Sequence, residues 1–246
     1  MRNASQRGAM KTIHVVQHTS AEYLGLIEDH LEGRGIRFVY HRPFTAKGAL
    51  PRVDAVTAGL ILLGGGPWGS AGGRDVPTLA AEVDLARSCL AHERPVIGIG
   101  LGAQLLAIAA GGRAEPAALE FSVTIAERVR DDALNGYLPH RYPLAIYMRD
   151  RAVAPPDAAV LARDPFGRAA LWQVGRNALG FSGHPGLKVA MVEDLVMEFE
   201  ESPPDIDTGL AKLREAQGKL EDALVPMMTG IVQLAGWMDE APLNNG

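Results

Sequence analysis

The stretch that decides the fold is PVIGIGLGAQLLA, residues 95–107. A short β-branched and apolar run, 95–99, meets a glycine at 100, and an unbroken helix-forming run starts at Leu101. That is a strand, a sharp turn and a helix. A residue in such a turn stands at the carboxyl end of a strand, where open α/β sheets place ligands. It also lies at the positive end of a helix dipole, which favours an anion or an oxyanion. The pattern is that of a nucleophile elbow, with Gly100 in the nucleophile position.

Working outward, short apolar runs alternate with longer amphipathic ones, as expected of a sheet covered by helices. Residues 12–17 (TIHVVQ), 36–40 (IRFVY) and 59–63 (GLILL) read as strands. The last is apolar throughout, as parallel strands buried on both faces tend to be, and it runs into Gly64-Gly65-Gly66-Pro67, a loop. Residues 21–33 and 76–92 carry helical spacings, the latter with Leu79, Val83, Ala86 and Leu90 on one face. After Gly111-Gly112 the pattern turns β-rich, in runs at 121–125, 144–148, 158–161, 169–174 and 178–181, and a helix over 188–199 follows. Beyond Ser202-Pro203-Pro204, apolar residues from Leu210 to Met238 recur at alternating spacings of three and four, a heptad seam with Pro226 inside it. Proline removes a helical hydrogen bond, so a kink or two helices is expected there. The seam packs either on its own domain or between two chains; the two prolines before it favour the second, a homodimer.

Bulk properties narrow the function. The formal charge is −5, with no concentrated basic stripe, which argues against a nucleic-acid binder. No apolar run approaches the roughly 20 residues that span a bilayer. Residues 1–10 are polar and read as a disordered extension rather than a secretory signal. One cysteine, Cys89, excludes an intrachain disulfide and suits a reducing, cytoplasmic setting. It reads as a small buried hydrophobe in the helix before the elbow strand. The seven histidines are scattered, so neither a metal site nor another cofactor is expected.

Three segments together resemble the class I glutamine amidotransferases, whose elbow reads G-I-C-x-G-x-Q. Gly98, Ile99, Gly102 and Gln104 match, and Gly100 stands in the place of the cysteine. Residues 63–67 (LGGGP) resemble the family's glycine-rich loop, and residues 180–186 (GFSGHPG) its F-H-P-E segment. The resemblance runs over about residues 11–200. It implies a three-layer, flavodoxin-like, doubly wound and mostly parallel sheet over residues 11–201, with 205–240 as a helical tail. It implies that His184 holds the base position, that Gly186 stands where the family has the orienting glutamate, and that the N–H groups of Gly65, Gly66 and Leu101 form the oxyanion cradle. Gln104 and Asp150, in Met148-Arg149-Asp150, fall where the family contacts its substrate.

In the family a cysteine thiolate attacks the glutamine side chain and the histidine moves the proton. Glycine cannot form a thioester, so glutamine hydrolysis is expected to be absent. The residues then favour a pseudoenzyme that binds glutamine, a related carboxylate or a synthase partner. The alternative is an enzyme of thiol-independent chemistry built on His184 and the cradle. A conventional glutaminase with a displaced nucleophile ranks last.

Overall fold

A computed structural model describes residues 11–238; the expected extension over residues 1–10 lies outside them. A nine-stranded sheet forms the centre. Its parallel half comprises β1 (Thr12–Val16), β2 (Arg37–His41), β3 (Leu60–Leu62), β4 (Val96–Ile99) and β11 (Ala178–Phe181). Its antiparallel half comprises β6 (Glu120–Arg128), β7 (Arg141–Met148), β9 (Ala159–Arg163) and β10 (Ala169–Val174). The order is β2-β1-β3-β4-β11-β10-β9-β6-β7, and β5 (Arg113–Glu115) pairs separately with β8 (Arg151–Val153). The sheet is therefore mixed rather than mostly parallel: strands β1 to β4 are joined by long crossovers, whereas hairpins join β6 to β7, β9 to β10 and β10 to β11.

Alternation along the parallel strands sends side chains to two cores. Ile61, Ile97 and Ile99 pack with α1 (Leu26–Glu32) and α5 (Ile206–Leu234) on one face. Leu60, Leu62 and Val96 pack with α2 (Leu79–Ala91) and α3 (Leu101–Ala109) on the other. The result is the expected three-layer α/β architecture. A fifth helix, α4 (Val189–Glu198), joins Leu187, Leu210 and Tyr147 in a third cluster.

Two expectations change. The first helix begins at Leu26 rather than Ala21, because Gly25 adopts φ 61°, ψ −127° and breaks the turn. A Cβ at Gly25 would lie 2.1 Å from the Gly186 carbonyl, so glycine is what lets the two loops touch. The tail is a single 29-residue helix containing Pro226, not two helices. Its seam residues Leu213, Leu220, Leu224, Met227 and Ile231 are buried within the chain, against the sheet and α1. Packing of this face outweighs the local proline penalty of about 3 kcal/mol. The seam is thus used within the chain, which removes the basis for expecting a homodimer through it. Among the described residues no helix is long and apolar enough to cross a membrane.

Candidate functional site

The strand order reverses direction of growth between β1 and β3, so the loops after these strands open the crevice where such sheets bind ligands. Four segments meet along this carboxyl edge: residues 17–22 after β1, 63–66 after β3, the β4–α3 turn, and 182–186 after β11.

Gly100 occupies the β4–α3 turn at φ 58°, ψ −114°, a conformation that strains any residue with a Cβ. Its N–H donates to the Phe181 carbonyl at 2.9 Å, which ties the elbow to β11. A Cβ at this position would meet only the Gly64 Cα, at 3.5 Å, an ordinary contact. The glycines around it are fixed by closeness instead. A Cβ on Gly98 would lie 2.3 Å from the Gly102 carbonyl, and one on Gly102 would lie 1.9 Å from that of Leu62. Leu101 is the first residue of α3, so its N–H has no carbonyl within the helix to bond. Gly65 rests against the Leu101 side chain, which brings the two halves of the expected cradle together.

One donor of the expected cradle is already engaged. Glu22, in the loop after β1, is 2% exposed, and its carboxylate accepts the Gly66 N–H at 2.9 Å. The same carboxylate lies where a Cβ of Gly64 would stand, so the glycine-rich loop is moulded around it. Burial pushes the Glu22 carboxyl up to about 7, reinforced by Glu198; the Gly66 N–H and the charge of His18 act the other way. Beside it His18, also buried, bonds Glu82 through Nε2 at 2.7 Å and the Gly64 carbonyl through Nδ1 at 3.0 Å. Burial alone would drive the His18 pKa down, but the Glu82 charge and hydrogen bond outweigh it and the ring is favoured as imidazolium. Both ring nitrogens then donate, and Thr78 Oγ1 donates to the other oxygen of Glu82. An ion pair buried this completely fixes the position of Gly64.

His184 reaches the same edge, 4% exposed, but both of its nitrogens face backbone. Nδ1 accepts the Gly186 N–H at 3.1 Å, so Nε2 carries the proton and donates to the Tyr23 carbonyl at 2.8 Å. Burial lowers its pKa to about 4, the backbone bonds opposing only in part. Gly186 is in turn confined: a Cβ there would stand 3.0 Å from the Ile27 Cγ1, the Ile27 nitrogen and the Leu24 carbonyl.

Gln104 and Asp150 lie together and are internally satisfied. Gln104 Oε1 accepts from Ser70 Oγ at 2.6 Å, and Nε2 donates to the Arg149 carbonyl at 2.7 Å. Asp150, at φ 60°, accepts the N–H groups of Ser70, Ala71 and Ala117 at 2.9, 3.0 and 3.1 Å. The two residues lock residues 69–71 against the loop after β7. Cys89 is fully buried in α2, and burial raises its thiol to about 11, so it is inert there. Among the described residues no group of three or more His, Cys, Asp or Glu side chains could hold a metal ion.

Sequence reading misses His18, Glu22 and Glu82. One signal is available: Glu82 falls beside Leu79, Val83 and Ala86 on the apolar face of its helix, a charge where the pattern asks for a core residue.

No family model matches the chain. It is 34% identical over 143 residues to a glutamine-hydrolyzing GMP synthase subunit of Methanothrix thermoacetophila, covering 55% of this chain and 70% of that protein. It is 40% identical over 105 residues to the glutamine-hydrolyzing GMP synthase of Thermomicrobium roseum, covering 42% of this chain but spanning only 19% of that longer protein. Its fold matches the crystal structure of a glutamine amidotransferase from Thermotoga maritima with a TM-score of 0.76, at 21% identity, over 92% of this chain and 99% of that one. The elbow, the glycine-rich loop and the mixed sheet are thus found in a chain that matches most of the Methanothrix protein, and it belongs to the class I glutamine amidotransferase family.

Proposed function

We propose that this chain is an amidotransferase-like protein that does not hydrolyse glutamine and acts by binding, with a synthase-type protein as its partner. The observation that carries the reading is the elbow. Gly100 holds the strained geometry of a nucleophile turn and offers no side chain there. The rest of the machinery points the same way. His184 has both ring nitrogens bonded to backbone, which leaves neither free to take a proton from a substrate. Gly186 supplies no carboxylate to orient it. The Gly66 N–H, which the resemblance assigns to the oxyanion cradle, is held by Glu22.

That last contact favours a protein partner over a small ligand. Glutamine or a related carboxylate seated in the cradle has to displace a buried carboxylate first, whereas a partner docking on the rim does not. The Methanothrix relative is named as one subunit of a synthase, which supports a partner of the same kind. The thiol-independent alternative gains no support from His184 in this geometry.

The test is glutamate release from glutamine by the purified protein, followed enzymatically beside an active glutaminase. The expected result is no release above the buffer blank at any pH from about 6 to about 9, the range in which a histidine base would operate. Sustained, protein-dependent release would overturn the reading and require another nucleophile.

A further inference from the structure

We propose that the groove between the β1–β2 edge of the sheet and the loop over residues 42–55 binds a phosphate-bearing small molecule. The inference is independent of the elbow chemistry. His14, His41, Arg42, Lys47 and Arg52 all line one groove of about 560 Å³, and no carboxylate is among its lining residues. In a chain of net charge −5, such a concentration of basic groups reverses the local sign. A concave site of one sign concentrates the opposite ion.

The groups are arranged rather than merely gathered. Arg42 donates from Nε to Gln17 Oε1 at 2.7 Å and lies over the Tyr40 ring, 5.1 Å from its centroid. The guanidinium is thereby held on one side, which leaves its two terminal nitrogens for a bidentate contact with an oxyanion. Lys47 forms no ion pair with any described residue, while Arg52 is held by Asp54 at 2.9 Å. A tetrahedral dianion can take the Arg42 fork on two oxygens and the Lys47 point charge on a third, which a single carboxylate cannot.

His14 and His41 add a proton to the account. Nδ1 of His14 is 2.8 Å from Nε2 of His41, and the rings stack with centroids 5.1 Å apart. The Ala55 carbonyl faces His14 and the Ala49 carbonyl faces His41, each favouring an N–H. Two neutral rings hold two protons between them. Satisfying both carbonyls and the bond between the rings takes three, so the pair is complete when singly charged. Burial, together with the His14 charge in the case of His41, lowers both rings below their ordinary value. Arg42 and Lys47, which line the same groove, oppose that third proton as well, whereas the charge of Arg52 is offset by Asp54. A bound dianion supplies the missing counter-charge, so binding takes up a proton. The volume suits a small metabolite, and basic groups confined to one groove do not form the extended track that nucleic acid needs.

The test uses the full chain with inorganic phosphate and pyrophosphate as probes, by calorimetry and by ¹⁵N-edited NMR of the imidazoles. Saturable binding with shifts at His14 and His41 is expected, about fivefold tighter near pH 6 than near pH 8, since below its own pKa the phosphate brings the proton that the pair takes up. Arg42→Gln and Lys47→Gln are each expected to weaken it about tenfold, without changing the melting temperature, since both side chains lie at the surface. Absence of saturable binding overturns the proposal. So does binding that both variants leave unchanged, which would place the anion elsewhere.

Discussion

Replacing Glu22 with Gln is expected to widen the stability gap over the parent by on the order of 3 kcal/mol between about pH 4 and about pH 8, in favour of the variant at the alkaline end. The sign follows from the direction of the shift. Burial raises the Glu22 carboxyl from 4.5 to about 7 in the folded chain. The native state therefore keeps its proton where the unfolded chain has lost it. The stability that proton represents is fully present below about 4.5 and is lost as the pH rises to about 7. Above that, folding must hold a buried carboxylate against desolvation. Gln carries no such charge, and its side-chain carbonyl can still accept the Gly66 N–H.

His184 acts in the opposite sense. Burial lowers its pKa from 6.5 to about 4, so its contribution is present above 6.5 and is lost as the pH falls to about 4. Over the shared interval from about 4.5 to about 6.5 the two slopes oppose each other, while His14, His30 and His41, whose pKa values are also lowered, add to the His184 side in parent and variant alike. His18, whose pKa is raised, adds to the loss on the alkaline side in parent and variant alike. Glu22→Gln removes one slope and uncovers the other: the stability of the variant should fall as the pH drops from about 6.5 to about 4. Urea titrations at half-unit pH intervals measure both profiles. Parallel curves for parent and variant would show that folding leaves the Glu22 carboxyl where the unfolded chain has it, and would overturn the shift.

How far the sequence prefigures this site depends on the kind of residue. The elbow is legible because two of its glycines are dictated within the turn, Gly98 against the Gly102 carbonyl and Gly100 by its positive φ, while Gly102 is confined by the neighbouring strand at Leu62. The order of the parallel strands follows from alternating strand and helix patterns. The pairing of the antiparallel half does not, since runs such as 121–125 and 158–161 carry no sign of their neighbours or direction. At Pro226, where the local rule predicts a kink or two helices, the chain stays in one helix, because that rule competes there with a whole buried face. The occupant of the cradle is out of reach for a related reason. Glu22 and Gly66 are 44 residues apart, and a glutamate after a strand is by default a solvated loop residue. Only the fold shows that this one is buried and has a donor.

Gly100→Cys, which places a thiol where the resemblance puts the family's cysteine, is expected to lower stability by about 1–3 kcal/mol and to yield no glutaminase. The destabilisation is conformational rather than steric. A Cβ at Gly100 has an ordinary neighbour at 3.5 Å, but φ 58°, ψ −114° is tolerated by glycine and strained for cysteine. Gly100→Ala should therefore show the same loss, read as a similar fall in denaturation midpoint, and the comparison separates backbone strain from any effect of the thiol. Activity stays absent because the thiol would stand alone. Deprotonating it requires a base, and the ring nitrogens of His184 are bonded to Tyr23 and Gly186. Stabilising the oxyanion, on the proposed assignment, draws on the Gly66 N–H, which Glu22 holds. Adding Gly186→Glu does not repair this. Its Cβ would press on Ile27 and Leu24 at 3.0 Å, so the double variant should lose about 1–3 kcal/mol more through overpacking and remain silent. Glutamate release by the single variant at a rate near that of an active glutaminase would mean that His184 and Glu22 move aside on substrate binding. The protein would then be an amidotransferase lacking only its nucleophile. Silence in both variants, with the predicted losses of stability, would place the change deeper than the thiol, in a crevice closed by its own buried charges.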